Sequence, residues 1–175
     1  KDEVAMIHGA LELMNTTVKD AMTTFEKIKS IPMTAVMDES TMADLLGTGH
    51  SRIPVYENHR MNIRGFLILR RLIILDPDDA RPVKTLPLRF PLVVSPSTNL
   101  IDMLNLFQVG RSHVALVSEF PDEIRRLWRE NAPLPADAFM GLITCEDVLE
   151  ELIGEEIEDE DDYQITLLGR LSSRD

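Results

Sequence analysis

Apolar side chains recur at three- and four-residue spacing in three regions of this chain. Val4, Ile7, Ala10, Leu11 and Met14 mark one helix face within residues 1–15. Met42, Leu45 and Leu46 mark a second, and Leu100, Ile101, Leu104 and Phe107 a third. Glycine closes the latter two, Gly47 or Gly49 in one case and Gly110 in the other. Beyond each glycine the pattern predicts a short strand, a connection, a second strand and another helix.

The two patterned regions are copies of one another. "VKDAM" at 18–22 corresponds to "VKTLP" at 83–87, and "MADLL" at 42–46 to "LIDML" at 100–104. "GHSRIPVY" at 49–56 corresponds to "GRSHVALV" at 110–117, and "GFLILRRL" at 65–72 to "GLITCEDV" at 141–148. The glycine–serine pairs lie 61 residues apart and the later glycines 76 apart, so 15 extra residues fall within 118–139. In the first copy the strand connection is the short polar "ENHRMN", as a hairpin requires. In the second it carries three prolines, Trp128 and alternating charge, which predicts an exposed, partly helical excursion. Neither half can bury much core alone. Two halves packed face to face with pseudo-twofold symmetry solve this, giving a mixed α/β (α+β) fold of small sheets packed with helices.

Composition narrows the function. A chain of 175 residues that is 44% hydrophobic buries a real core. Its net charge of −12 argues against nucleic acid or an anionic membrane surface as partner, while a small anion could still bind at a local positive site. The one cysteine, Cys145, excludes an intramolecular disulfide and a cysteine zinc cage, and is expected to be a small buried side chain. The longest apolar run, "GFLILRRLIIL", is too short for a membrane span and is split by Arg70 and Arg71. No signal peptide is visible, and the chain starts without methionine inside a helical pattern, which reads as a piece of something longer. His8, His50, His59 and His113 have no metal-ligand spacing, no nucleophile sits with a base, and no GxxxxGK[ST] loop occurs. An enzyme is not expected. "EEIEDEDD" at 155–162 reads as a solvated acidic linker.

The junction "GLITCEDVLEEL" at 141–152 carries the candidate chemistry. Thr144 and Asp147 have the spacing of a helix N-cap and its third-residue partner. The same spacing suits a nucleotide, with Thr144 offering a hydroxyl to phosphate and Asp147 accepting from two sugar hydroxyls. The two readings stay open on these residues alone.

The duplicated layout resembles a tandem pair of cystathionine-β-synthase (CBS) domains, a Bateman module. "GALEL…TVKDAMT", "GHSRIPVYE", "LDPDD…PVKT", "GRSHVALV" and "GLITCEDVLEELIGEEI" resemble the CBS pair of the CNNM (cyclin M or CorC-like) family linked to magnesium transport. The resemblance implies a connecting helix from an upstream membrane domain at 1–16 and CBS domains at 17–80 and 81–154. The second would carry the extended loop 118–139, and an acidic tail would follow at 155–175. It also implies a homodimer, a cytosolic position in a membrane protein, and Mg²⁺ with ATP as ligands, the Mg²⁺ held through the ATP phosphates.

For adenosine ligands the family pattern is glycine, two apolar residues, Ser/Thr, two variable residues and Asp. Gly141, Leu142, Ile143, Thr144, Glu146 and Asp147 match it, with Thr17, Met22, His50, Ser51, Arg52, Ile53 and Pro54 assigned to the other wall. Arg52 would face polyphosphate, and Met22 and Ile53 adenine. In the mirror-image motif Ile68 and Arg71 replace Ser/Thr and Asp, so one nucleotide per chain is expected. In animal relatives the extended loop presents an aspartate to phosphatases of regenerating liver, and Asp137 falls at about that place. The alternative function is a dimerisation or interaction module, independent of nucleotide, that docks a partner through 118–139.

Overall fold

The computed structural model describes residues 2–110 and 112–151. The expected acidic tail at 155–175 lies outside them. The described parts form two compact units, each built from interleaved segments. One comprises parts of Lys1–Met22, Pro96–His113 and Ile143–Asp175; the other comprises Thr23–Ser95 and Val114–Leu142.

In the first unit, α1 (Asp2–Asn15) packs against α4 (Leu100–Gly110), and the short α2 (Val18–Ala21) lies between them in sequence. Leu13, Val18, Leu100, Met103, Phe107, Ile143 and Val148 are its buried apolar residues. A further helix, α6, starts at residue 145 and continues through 151. Thr17 and Asn99 form an isolated antiparallel bridge. Beside it, Val18 donates to the Thr98 carbonyl at 2.8 Å and Lys19 to Pro96 at 3.1 Å.

The second unit repeats that pattern. Val83 donates to the Ala35 carbonyl at 2.8 Å and Lys84 to Met33 at 3.2 Å. The duplicated "VK" dipeptides therefore have one structural role, an edge bonded to the segment that leads into a helix. In both cases that segment belongs to the other copy.

The remaining elements of the second unit are β1 (Thr23–Thr24), β2 (Ile31–Pro32), β3 (Val36–Met37), α3 (Glu39–Gly47), β4 (Arg52–Tyr56), β5 (Ile63–Ile68), β6 (Arg81–Pro82), β7 (Leu92–Val94), β8 (Val114–Val117) and α5 (Pro121–Arg129). The last strand, β9, spans Gly141–Thr144. The sheets run β2-β4-β5 and β1-β9-β8-β7, with β3 paired to β6. The duplication shows in this order: β2 runs parallel to β4 as β7 does to β8, and β5 and β9 then add on the far side.

Alternation in "RIPVY" puts Ile53 and Val55 on the face packed with Leu45, Leu67, Leu69 and Val83. The opposite face carries Phe66, which packs with Phe25, Val93, Leu116, Ile124 and Phe139. The β4–β5 connection closes as a hairpin. Glu57 and Asn62 exchange backbone and side-chain bonds, Asn58 takes φ +66°, and the register shifts at Val55/Tyr56.

Two expectations are corrected. Residues 118–139 are partly helical as expected, in α5, but they are anchored in the core rather than a wholly exposed excursion, because Ile124, Leu134, Ala138 and Phe139 are all buried. In α5 the outward residues are charged while Ile124 points in, and the Trp128 indole N–H donates to the buried Ile63 carbonyl at 2.9 Å. The segment thus completes the core of its unit. The helix expected after β5 is a 3₁₀ helix, Leu69–Ile74, in which Ile68 supplies no side-chain cap. A β-branched apolar residue cannot accept from the free amides of the first turn.

Candidate functional site

In the first unit, Thr144 ends β9 and Asp147 lies in the first turn of α6. The Thr144 amide donates to Asp147 Oδ2 at 2.7 Å, and the Asp147 amide donates to Thr144 Oγ1 at 3.1 Å. This is a reciprocal capping box. It engages one carboxylate oxygen; Asp147 Oδ1 has no hydrogen bond among the described residues. Both side chains are half-buried, so the box lies open to solvent. Ile143 before it and Val148 after it are fully buried and fix the junction, while Glu146 is exposed.

The same motif occurs again in that unit. Thr17 caps α2, its amide and hydroxyl donating to Asp20 Oδ2 at 3.0 and 2.9 Å. The Thr17 amide bond, then its hydroxyl bond, hold the Asp20 carboxyl below the usual aspartate range. Met22, half-buried, ends α2 with its amide on the Val18 carbonyl at 2.9 Å. Asp20 was not singled out in the sequence, although "TVKD" has the spacing of "TCED".

In the second unit, His50 and Ser51 are exposed, Arg52 is half-buried, and Ile53 and Pro54 are buried at the start of β4. Ile53 is fully enclosed by the apolar cluster of that unit. The Ser51 carbonyl accepts from Leu69 at 3.0 Å, which ties the end of β5 to this stretch. Leu142 is half-buried and pairs with Thr23. Gly49 has φ +71°, a conformation that favours glycine just before the motif. Cys145 is half-buried rather than buried, since it opens α6; its amide donates to the His113 carbonyl at 2.9 Å. Asp137 is exposed on a turn between the buried Leu134 and Ala138.

Among the described residues there is no cluster of metal-ligating side chains, and no helix is long and apolar enough to cross a membrane. The chemistry on offer is hydrogen bonding and charge: one carboxylate oxygen beside a threonine hydroxyl in one unit, and arginine beside exposed serine and histidine in the other.

No model of a known protein family matches the chain. It is similar to Protein MAM3 of Saccharomyces cerevisiae, with 37% identity over 168 residues, 95% of this chain and 22% of that protein. A DUF21 domain-containing protein of Arabidopsis thaliana is 41% identical over 130 residues, 74% of this chain and 31% of that protein. The chain thus spans roughly a fifth to a third of the length of these relatives. Among solved structures, it resembles the CBS domain of a bacterial CNNM/CorC family Mg²⁺ transporter in complex with ATP. The identity is 25%, the TM-score 0.69, and the match covers 88% of this chain and 99% of that one. The duplicated strand order, the "GHSRIPVY" and "GLITCED" junctions and these likenesses agree: the chain belongs to the CNNM/CorC family, as its tandem CBS-domain module.

Proposed function

We propose that this module binds ATP with Mg²⁺, one nucleotide per chain, and that binding regulates a divalent-cation transporter or transport mediator of which it is the cytosolic part. The observation that carries this reading is the half-open Thr144–Asp147 box, in which only one oxygen of the carboxylate is engaged. The remaining lone pairs fit a ribose diol, and a charge-assisted hydrogen bond there is worth about 1.5–3 kcal/mol. On the family pattern Thr17, Met22, Leu142, Glu146, His50, Ser51 and Arg52 are assigned to the same ligand by their side chains, and Ile53, Pro54 and Ile143, whose side chains are buried, by their backbone. Arg52 serves the phosphates, and Mg²⁺ is held by those phosphates, neutralising their remaining charge. At the corresponding place in the first copy, Ile68 and Arg71 offer no acceptor, which supports a single site.

Regulation requires two conformations that differ in ATP affinity, because a ligand shifts an equilibrium only by its differential binding. A homodimer supplies a means of coupling. Leu106, Val109 and Leu149 expose apolar surface on the first unit, and Leu46, Ile73 and Ile74 on the second. We assign both sets to contact with a second copy, and α1 to the connection with an upstream membrane domain. A second reading, partner docking at Asp137, is supported by its exposure on a turn anchored in the core. A phosphatase of regenerating liver is the partner it would take.

Thermal unfolding tests the main reading. Saturating Mg·ATP raises the Tm of a protein that binds it only when folded. The rise is expected in the parent chain and absent in Asp147→Ala; an equal rise in both refutes the assignment.

A further inference from the structure

We infer that Arg52, Arg70 and Arg89 form a binding site for a chain of phosphate groups at one end of the β4–β5 ribbon. The inference rests on the nucleotide reading only for what carries those phosphates.

Strand pairing brings the three together. Arg52 of β4 lies opposite Ile68 of β5, and Arg89 forms an antiparallel bridge with Phe66, two residues earlier on the same strand. Opposed residues project to the same side of a sheet, as do alternate residues of one strand, so Arg52 and Arg89 flank the Phe66–Ile68 face. Arg70 follows two residues after Ile68, where the Leu69–Ser51 bond holds the start of the 3₁₀ helix against β4. The bridge is firm: the Phe66 amide donates to Arg89 at 2.8 Å and the Arg89 amide to Phe66 at 3.0 Å. Gly65 permits this approach, since a Cβ there would lie 2.8 Å from Leu88 Cβ.

Four other arginines of the same unit have partners. Arg60 donates to the Ile28 carbonyl, Arg64 to Ala132, and Arg125 and Arg126 pair with Asp122, Glu123 and Glu130. Arg52, Arg70 and Arg89 have no side-chain hydrogen bond and no ion pair among the described residues, in a chain with 30 acidic residues. Partial burial, then the charges of Arg70 and Arg89, push the Arg52 guanidinium down from its ordinary value. Three like charges thus lie at one end of the ribbon, and none is paired with a carboxylate among the described residues. A single carboxylate would answer one of them; a phosphate chain answers all three, each by the two-pronged bonding a guanidinium offers phosphate oxygens.

The carrier is either a nucleotide or inorganic polyphosphate, and one experiment separates them. ATP, AMP and inorganic tripolyphosphate are titrated into the parent chain and into Arg70→Gln, Arg89→Gln and the double variant. Both altered positions are exposed, and circular dichroism checks the fold. The expected result is preference for ATP over AMP in the parent, falling by roughly tenfold per arginine removed while AMP affinity holds. If no nucleotide binds but tripolyphosphate does, and the double variant loses it, the nucleotide reading fails and the arginine site stands. If nucleotides bind with an ATP-to-AMP ratio unchanged in the double variant, and tripolyphosphate does not bind, the arginine site is refuted and the nucleotide reading survives. If none of the three binds, both fall.

Discussion

Thr144 and Asp147 exchange hydrogen bonds at 2.7 and 3.1 Å, so the residues assigned to a nucleotide also build the first turn of a helix. The two roles are compatible, because the box engages only one carboxylate oxygen. They carry different magnitudes. Loss of a cap costs typically about 1 kcal/mol, within a range of roughly 0.5–2. Asp147→Ala is therefore expected to lower unfolding free energy by about that amount in urea denaturation, leaving a folded protein. Asp147→Asn, which keeps an acceptor for the Thr144 amide, is expected to cost less. A loss several-fold larger in either would show that the junction holds up more than one helix turn.

Gly65 lies tightly against the 88–89 segment. Its φ is +157°, and an added Cβ would meet Leu88 Cβ at 2.8 Å and the Arg89 carbonyl at 3.2 Å. Neither neighbour is the free end of a flexible chain, so the 88–89 segment must move. Overpacking of this kind costs typically about 1–3 kcal/mol. Gly65→Ala is expected to lose that much stability and to speed hydrogen exchange at the Phe66 and Arg89 amides. Unchanged exchange at both would contradict the bridge.

Much of this fold could be read in the sequence, and the gaps have physical causes. Helix spacing at 42–46 and 100–107 predicted α3 and α4, because an apolar stripe is a local signal. The paired "GHSRIPVY" and "GRSHVALV" stretches predicted β4 and β8 for the same reason. That "VKDAM" bonds to the segment ahead of α4, and "VKTLP" to the segment ahead of α3, could not be read this way, since repeat matching shows likeness and not partnership. Residues 118–139 misled because charge and proline dominate the string, while four buried side chains decide the structure. Arg89 was invisible as a site residue: only pairing with Phe66 brings it near Arg52.

Acid should weaken the folded state through carboxylates that accept backbone amides. The Thr41 amide, donating to Asp38 Oδ1 at 2.8 Å, holds Asp38 below the usual range, as Thr17 holds Asp20. A depressed folded-state pKa gives stability that is present above the unfolded value, about 3.9, and is lost as pH falls through the folded value. Stability is therefore expected to be level near neutrality and to fall below about pH 4, with a shallower fall in Asp38→Asn. An identical acid limb in that variant would contradict the cap.

Exposed apolar side chains at Val109, 84% accessible, and Ile74, 87% accessible, are assigned to contact between copies. Light scattering after size exclusion is expected to give twice the chain mass of 19.8 kDa, and Val109→Arg or Ile74→Glu to shift the protein toward monomer. A monomeric parent at high micromolar concentration would remove the dimer from the account.

Calorimetric titration of ATP, with and without Mg²⁺, into the parent, Asp147→Ala and Thr144→Ile decides whether this junction holds a nucleotide. Saturable binding at one site per chain is expected, strengthened by Mg²⁺ and lost in both variants while circular dichroism stays unchanged. No binding in the folded parent, or equal binding in all three proteins, would leave Thr144 and Asp147 as a helix cap alone.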